Sequence, residues 1–103
     1  MLVRGTDKVT PLEFEWDEKK ADGNRRKHGV SFEEAATVFG DPLAAIFDDQ
    51  EHSADEEREI IVGHSERGRL LLVSFTVRGE AIRLISARKA TKQERRDYEE
   101  KPG

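Results

Sequence analysis

The sequence predicts an α+β fold, an antiparallel β-sheet with helices packed on one face, in the order β-α-α-β-β-β-β-α. Three observations carry this. Two pairs with the spacing of a capping box, Ser31 with Glu34 and Thr91 with Glu94, mark helix starts. Between them lie four apolar runs separated by short polar breaks, which favour neighbouring antiparallel strands. The length of 103 residues suits one compact domain and not two.

Residues 1–11 read as a polar N-terminal extension without periodicity, and residues 12–101 as the single domain. Leu12-Glu13-Phe14-Glu15-Trp16 alternates apolar and acidic side chains, the pattern of a half-buried strand with Leu12, Phe14 and Trp16 inward. Asp17 suits the N-cap of a helix reaching Lys27, and the scarcity of apolar residues in that helix predicts an exposed one. Its basic last turn (Arg25, Arg26, Lys27) complements the helix dipole, and Gly29 stands where a left-handed C-terminal glycine belongs. A second helix follows from Phe32 to Phe39, with Phe32, Ala35, Ala36 and Phe39 on one face, and Gly40-Asp41-Pro42 ends it.

Leu43 to Phe47 reads as a strand, residues 48–57 as an acidic loop, and Arg58 to Gly63, with Ile60, Ile61 and Val62, as the next strand. Ser65-Glu66-Arg67-Gly68 is a turn, Leu70 to Val77 a central strand, Arg78-Gly79 a hairpin turn, and Ala81 to Ala87 the last strand. Thr91 and Glu94 open a highly charged final helix through Lys101. The sheet face opposite the helices is left for solvent or a partner.

The composition is 35% hydrophobic and 39% charged, against a usual charged share of about a quarter. A small core under a heavily ionised surface fits these values, as does an apolar face buried against a partner. There is no cysteine, so disulfides and thiolate metal sites are excluded and a reducing cytosol is compatible. No apolar run approaches the ~18 residues of a membrane span, and the first residues lack the apolar stretch of a signal peptide. A cytoplasmic protein that does not contact membrane is expected.

The net charge of −4 counts mildly against nucleic-acid binding. Its distribution says more. Residues 19–28 hold five Lys and Arg against one acid, residues 41–59 hold eight acids against one Arg, and residues 83–101 hold seven bases against four acids. A chain with an acidic middle and basic flanks either folds one positive face or carries a mixed, solvated surface.

Several motifs, taken in order, resemble one family. They are Phe14-Glu15-Trp16-Asp17, then Lys20 and Asn24, then the run from Lys27-His28-Gly29 to Glu33-Glu34-Ala35. Asp41-Pro42, Glu57-Arg58, the turn from Gly63-His64-Ser65 to Gly68-Arg69, and Ile85-Ser86-Ala87-Arg88 with Glu94 and Tyr98 continue the set. Over about residues 14–100 the chain is similar to the BrnT toxins of type II toxin–antitoxin systems. Members of that family usually begin near the Phe-Glu-Trp-Asp strand, so the residues before it depart from the pattern. The resemblance implies a RelE-like fold and metal-independent RNA cleavage without a cofactor. It also implies inhibition by a co-encoded BrnA-type antitoxin that carries the DNA-binding domain, so that operator DNA is reached only through the antitoxin. A homodimer and a heterotetramer with the antitoxin both stay open.

Cutting RNA without a metal needs a base for the 2′-hydroxyl proton, cations for the crowded phosphate and an acid for the leaving 5′-oxygen. Guanidinium suits the second task because its planar fork grips phosphate oxygens and stays charged. The candidate catalytic residues are Arg58, Arg83, Arg88, His28 and Glu57. Arg58 opens a strand beside the acidic loop and matches the family's Glu-Arg pair. It is a phosphate clamp or a surface ion pair. Arg83 lies within an apolar strand, where a cation fits only if that face is open or paired. Arg88 ends the same strand, and simple alternation puts the two on opposite faces if no bulge intervenes. His28 ends a helix and is either an acid–base group or a C-terminal cap. Glu57 is a base or one of a solvated acidic run.

Lys27, His64 and Tyr98 are candidate RNA-binding residues, by phosphate contact or base stacking. Residues 48–57 offer oxygen ligands and His52 but not the glycine spacing of a calcium loop, so no metal site is assigned. The expected function is that of a toxin with endoribonuclease activity on RNA, in particular messenger RNA, that inhibits translation. The alternative is a non-catalytic binding module, a co-repressor in an antitoxin–DNA complex whose sheet only docks the antitoxin.

Overall fold

The computed structural model describes residues 12–50 and 57–100. The polar extension, most of the acidic loop and the expected helix end at Lys101 lie outside the described residues. Strand β1 (Glu13–Glu15) leads into helix α1 (Glu18–His28) and helix α2 (Phe32–Thr37), which tightens into a 3₁₀ turn over Val38–Gly40. Strands β2 (Ala45–Asp48), β3 (Glu59–His64), β4 (Leu70–Arg78) and β5 (Ala81–Lys89) follow, then helix α3 (Lys92–Glu100).

The local chemistry at the helix ends is as the residues demand. The Asp17 carboxylate accepts from the N–H groups of Lys19 at 2.8 Å and Lys20 at 3.2 Å, satisfying two donors that α1 cannot pair itself. Gly29 adopts φ 71° and donates to the Arg25 carbonyl at 2.8 Å, which turns the chain sharply out of α1. At α3 the capping box is reciprocal. Thr91 Oγ1 accepts from the Glu94 N–H at 3.1 Å and the Glu94 carboxylate accepts from the Thr91 N–H at 2.9 Å. At α2 only half of it forms. Ser31 Oγ accepts from the Glu34 N–H at 3.0 Å, but the Glu34 carboxylate reaches across to Ser65 and Arg69 instead.

Among the described residues the five strands are ordered β1-β5-β4-β3-β2. Strands β2 to β5 form the expected antiparallel meander. Strand β1 differs from the expectation of a wholly antiparallel sheet. It lies parallel to β5, with Glu13, Phe14 and Glu15 opposite Ala81, Ile82 and Arg83. A parallel pair needs a long crossover, and everything between β1 and β5 supplies it.

One sheet face carries the core. Ile61, Leu71, Val73, Phe75, Leu84 and Ala87 pack against Ala21, Val30, Phe32, Ala35 and Val38 of the α1–α2 layer. Phe39 joins the two layers edge-on, 5.2 Å from the Phe14 ring and 5.0 Å from that of Phe75. Gly63 lets the 3₁₀ turn and the segment after it approach β3, since a β-carbon there would lie 3.1 Å from Val38 Cγ1 and 2.8 Å from Ala44 Cβ.

Helix α3 does not share that core. It crosses the other face, where its Glu94, Asp97 and Tyr98 border Phe47, Val62 and Leu72. The expectation of helices on one face is corrected on this point. No residue of α3 is buried, so the helix has no apolar stripe to insert among the others. Polar contacts hold it, among them the Tyr98 hydroxyl donating to the Leu43 carbonyl at 3.0 Å.

A bulge in β5 decides which side chains share this second face. Ser74 of β4 is opposite Ser86, yet the next residue, Phe75, is opposite Leu84, so Ile85 is an extra residue. Alternation restarts across it. Arg83 (opposite Thr76), Ser86 (opposite Ser74) and Arg88 (opposite Leu72) therefore all face away from the core.

Candidate active-site cleft on the open sheet face

The part of this second face that α3 leaves uncovered is a cleft of about 520 Å³. Ile60, Leu72, Ser74 and Ser86 line it from β3, β4 and β5, and the two serines are cross-strand neighbours. Arg58, just before β3, and Arg88, near the end of β5, supply its cations. His28 enters from the end of α1. Asp49 adds a carboxylate. The Asp49 N–H donates to the Arg58 carbonyl at 2.9 Å, tying together the two stems of the acidic loop and fixing Asp49 beside Arg58.

Arg88 is held from the other side by α3. Its two terminal nitrogens donate to the two Glu94 oxygens at 2.8 Å each, the fork geometry that matches guanidinium to carboxylate. This bond, with help from the Thr91 N–H, pulls the Glu94 carboxyl from 4.5 to about 2, and it raises Arg88 above its ordinary value. A phosphate in the cleft would compete with Glu94 for the same fork. The depressed carboxyl contributes stability that is present above pH 4.5 and lost as the pH falls toward about 2. In a carbon-13 titration of the side-chain carboxyls, Glu94 is expected to titrate with a midpoint near 2, and Arg88→Ala to return it to the ordinary carboxylate range. An unchanged midpoint in the variant would show that Arg88 is not its partner in solution.

Comparison with known proteins agrees with this architecture. A family model described as "Ribonuclease toxin, BrnT, of type II toxin-antitoxin system" matches residues 16–94. The chain belongs to the BrnT family. Its structure is similar to the crystal structure of the Brucella abortus ribonuclease toxin BrnT, with a TM-score of 0.63 and 27% identity, covering 80% of this chain and 100% of that one. Among curated proteins none matches the sequence. The family consists of ribonuclease toxins that act in type II toxin–antitoxin pairs, which implies an antitoxin partner.

Within this BrnT chain, His28, Arg58 and Arg88 of the expected site come together in one cleft. Arg83 shares the face but not the cleft. It sits one row beyond Ser74 and Ser86 and pairs with Glu15 at 3.3 Å. Glu57 lies on the far side of Arg58, in a neighbouring hollow with Asp48 and Glu59. Lys27 is exposed and outside the cleft lining. His64 and Tyr98 stand together at the α3 end of the face, their rings 5.9 Å apart, with the His64 N–H donating to Asp41 at 2.7 Å. They brace α3 there.

Ser74, Ser86 and Asp49 also line the BrnT cleft, although the sequence offers Ser86 only within the Ile85-Ser86-Ala87-Arg88 motif, Asp49 only within the acidic run, and none of the three as a candidate site residue. The serines had a signal, as small polar residues at strand positions flanked by apolar ones. Asp49 had none, being one acid in a run of acids.

Proposed function

We propose that this chain is the toxin of a type II pair and cuts RNA, in particular messenger RNA, without a metal ion, so inhibiting translation until a cognate BrnA-type antitoxin neutralises it. One observation carries the reading. The bulged register of β5 and the end of α1 bring Arg58, Arg88 and His28 around a single serine-lined cleft. A phosphodiester seated between the two guanidiniums has its developing charge met from both sides. The lining offers an imidazole, His28, and a carboxylate, Asp49, as proton carriers.

In the proposed step a base removes the 2′-hydroxyl proton and the 2′-oxygen bonds to phosphorus. The bond to the 5′-oxygen breaks as an acid protonates it, leaving a cyclic phosphate and a free 5′-hydroxyl. His28 is assigned to one of these two proton transfers.

The test is cleavage of a mixed-sequence single-stranded RNA by the purified chain in EDTA. The wild type is expected to cut, and His28→Ala to slow the cut by about 10²–10⁴-fold. Equal rates in the two would remove His28 from the mechanism. The Arg88–Glu94 pair favours a second reading, because a fork already filled by a carboxylate is not free for phosphate. The face would then serve only to dock the antitoxin, and the chain would act as co-repressor on operator DNA. A folded wild type that leaves RNA intact in EDTA and in magnesium would select that reading.

A further inference from the structure

Asn24 is buried, one turn before His28 on the same face of α1, about 6 Å back along the axis. Its amide makes three hydrogen bonds. Nδ2 donates to the Ala87 carbonyl at 2.8 Å and to the Val30 carbonyl at 3.0 Å, while Oδ1 accepts from the Ala87 N–H at 3.0 Å.

Two of these take the place of a missing strand. Strand β1 pairs with β5 only as far as Arg83, so the outer edge of β5 continues past Arg83 without β1. At Ala87 the Asn24 side chain presents a donor and an acceptor to the strand, as a backbone amide in a sheet would. The third bond reaches Val30, two residues beyond His28. One side chain thus grips α1 before the His28–Gly29 turn, the chain after it, and the strand residue between Ser86 and Arg88.

We propose that Asn24 is the positioning residue for His28, setting its distance and direction from Arg88 and the serine-lined part of the cleft without touching substrate. This rests on the reading of the cleft as the RNA-cutting site. It adds that the imidazole is aligned by a side-chain amide, and Gln, one methylene longer, cannot reproduce the three bonds. A misplacement of about 1 Å at a reacting group costs on the order of 10²-fold in rate.

The experiment compares the full chain with Asn24→Ala, alone and in the His28→Ala background. It measures single-turnover cleavage of the mixed-sequence RNA in EDTA, affinity for that RNA, and the His28 ring signals by NMR, with those of His64 as control. The expected result is a fall in the cleavage rate of about 10²-fold with RNA affinity retained, no further fall when His28 is already Ala, and shifted His28 signals beside unmoved His64 signals. An equal fall in both backgrounds, or unmoved His28 signals in a folded variant, overturns the proposal. If Asn24→Ala does not fold, Asn24→Asp takes its place, since it is isosteric and keeps only the acceptor for Ala87. If the wild type cuts no RNA, the functional reading fails, and the ring signals alone decide whether Asn24 places His28.

Discussion

Arg58→Ala is expected to slow RNA cleavage by about 10²–10³-fold, the usual loss when one preorganised donor to a developing oxyanion is removed. Arg58 is half-buried at the base of the acidic loop, where its backbone is tied to Asp49. A cation so placed need not be reorganised as charge builds on the phosphate. Its neighbour Glu57 is exposed and outside the cleft, so Glu57→Gln should leave the rate close to that of the wild type. Single-turnover rates measured beside RNA affinity separate a part in the chemical step from a part in binding. A loss confined to affinity, with the bound rate intact, would reduce Arg58 to a docking charge and contradict the mechanism.

The largest loss of stability is expected far from the cleft, from Arg69→Ala. The Glu34 side chain is 5% exposed. Arg69 grips both of its oxygens, with Nε at 2.9 Å from one and Nη2 on the other, and Ser65 Oγ donates at 2.7 Å. Arg69 Nη2 also donates to the Gly29 carbonyl at 3.0 Å. The cluster thus joins α2, the turn after α1 and the β3–β4 turn.

Removing the guanidinium leaves the buried carboxylate with the Ser65 hydroxyl and, at 3.6 Å, the exposed Arg67 guanidinium, a change that costs about 3–5 kcal/mol when a buried pair is broken. The Arg69 side chain is 26% exposed, which argues for the lower end. A loss of about 3 kcal/mol in a domain of this size lowers the melting temperature by roughly 12–24 °C. The pH dependence has a definite sign. Chiefly the Arg69 hydrogen bond holds the Glu34 carboxyl below 4.5, so its contribution is present above that value and fades as the pH falls through the lowered one. The gap in melting temperature between wild type and variant should therefore narrow in acid. A gap that is small at neutral pH, or the same at pH 3 and pH 7, would refute this account of the cluster.

Much of the fold could be read from residues whose meaning is local. Asp17, Gly29, Ser31 and the Thr91–Glu94 pair act on backbone groups within a turn of themselves, so their roles survive any tertiary arrangement. The four apolar runs became the four strands of the meander for the same reason. What stayed hidden depends on partners distant in sequence. Glu34 reads as the second half of a capping box, and its partners lie more than thirty residues away at Ser65 and Arg69. Asn24 reads as an ordinary polar residue of an exposed helix until β5 arrives beside it. The parallel docking of β1 and the crossing of α3 over the second face leave no periodic trace. In the site, His28, Arg58 and Arg88 were legible as chemistry. Their meeting in one place was not, because it depends on pairing register.

That register has a consequence for how the chain can vary. Side chains in a strand carry a parity, odd or even, and Ile85 inverts it midway through β5. Identity and length are therefore unequal kinds of change there. Exchanging Ile85 for another residue keeps the inversion. Deleting it, or inserting one residue between Leu84 and Ser86, would exchange inside for outside on one half of the strand and force either Arg88 or Leu84 to the wrong side. The segment is tolerant of spelling and intolerant of miscounting, so a one-residue indel is its most damaging small lesion.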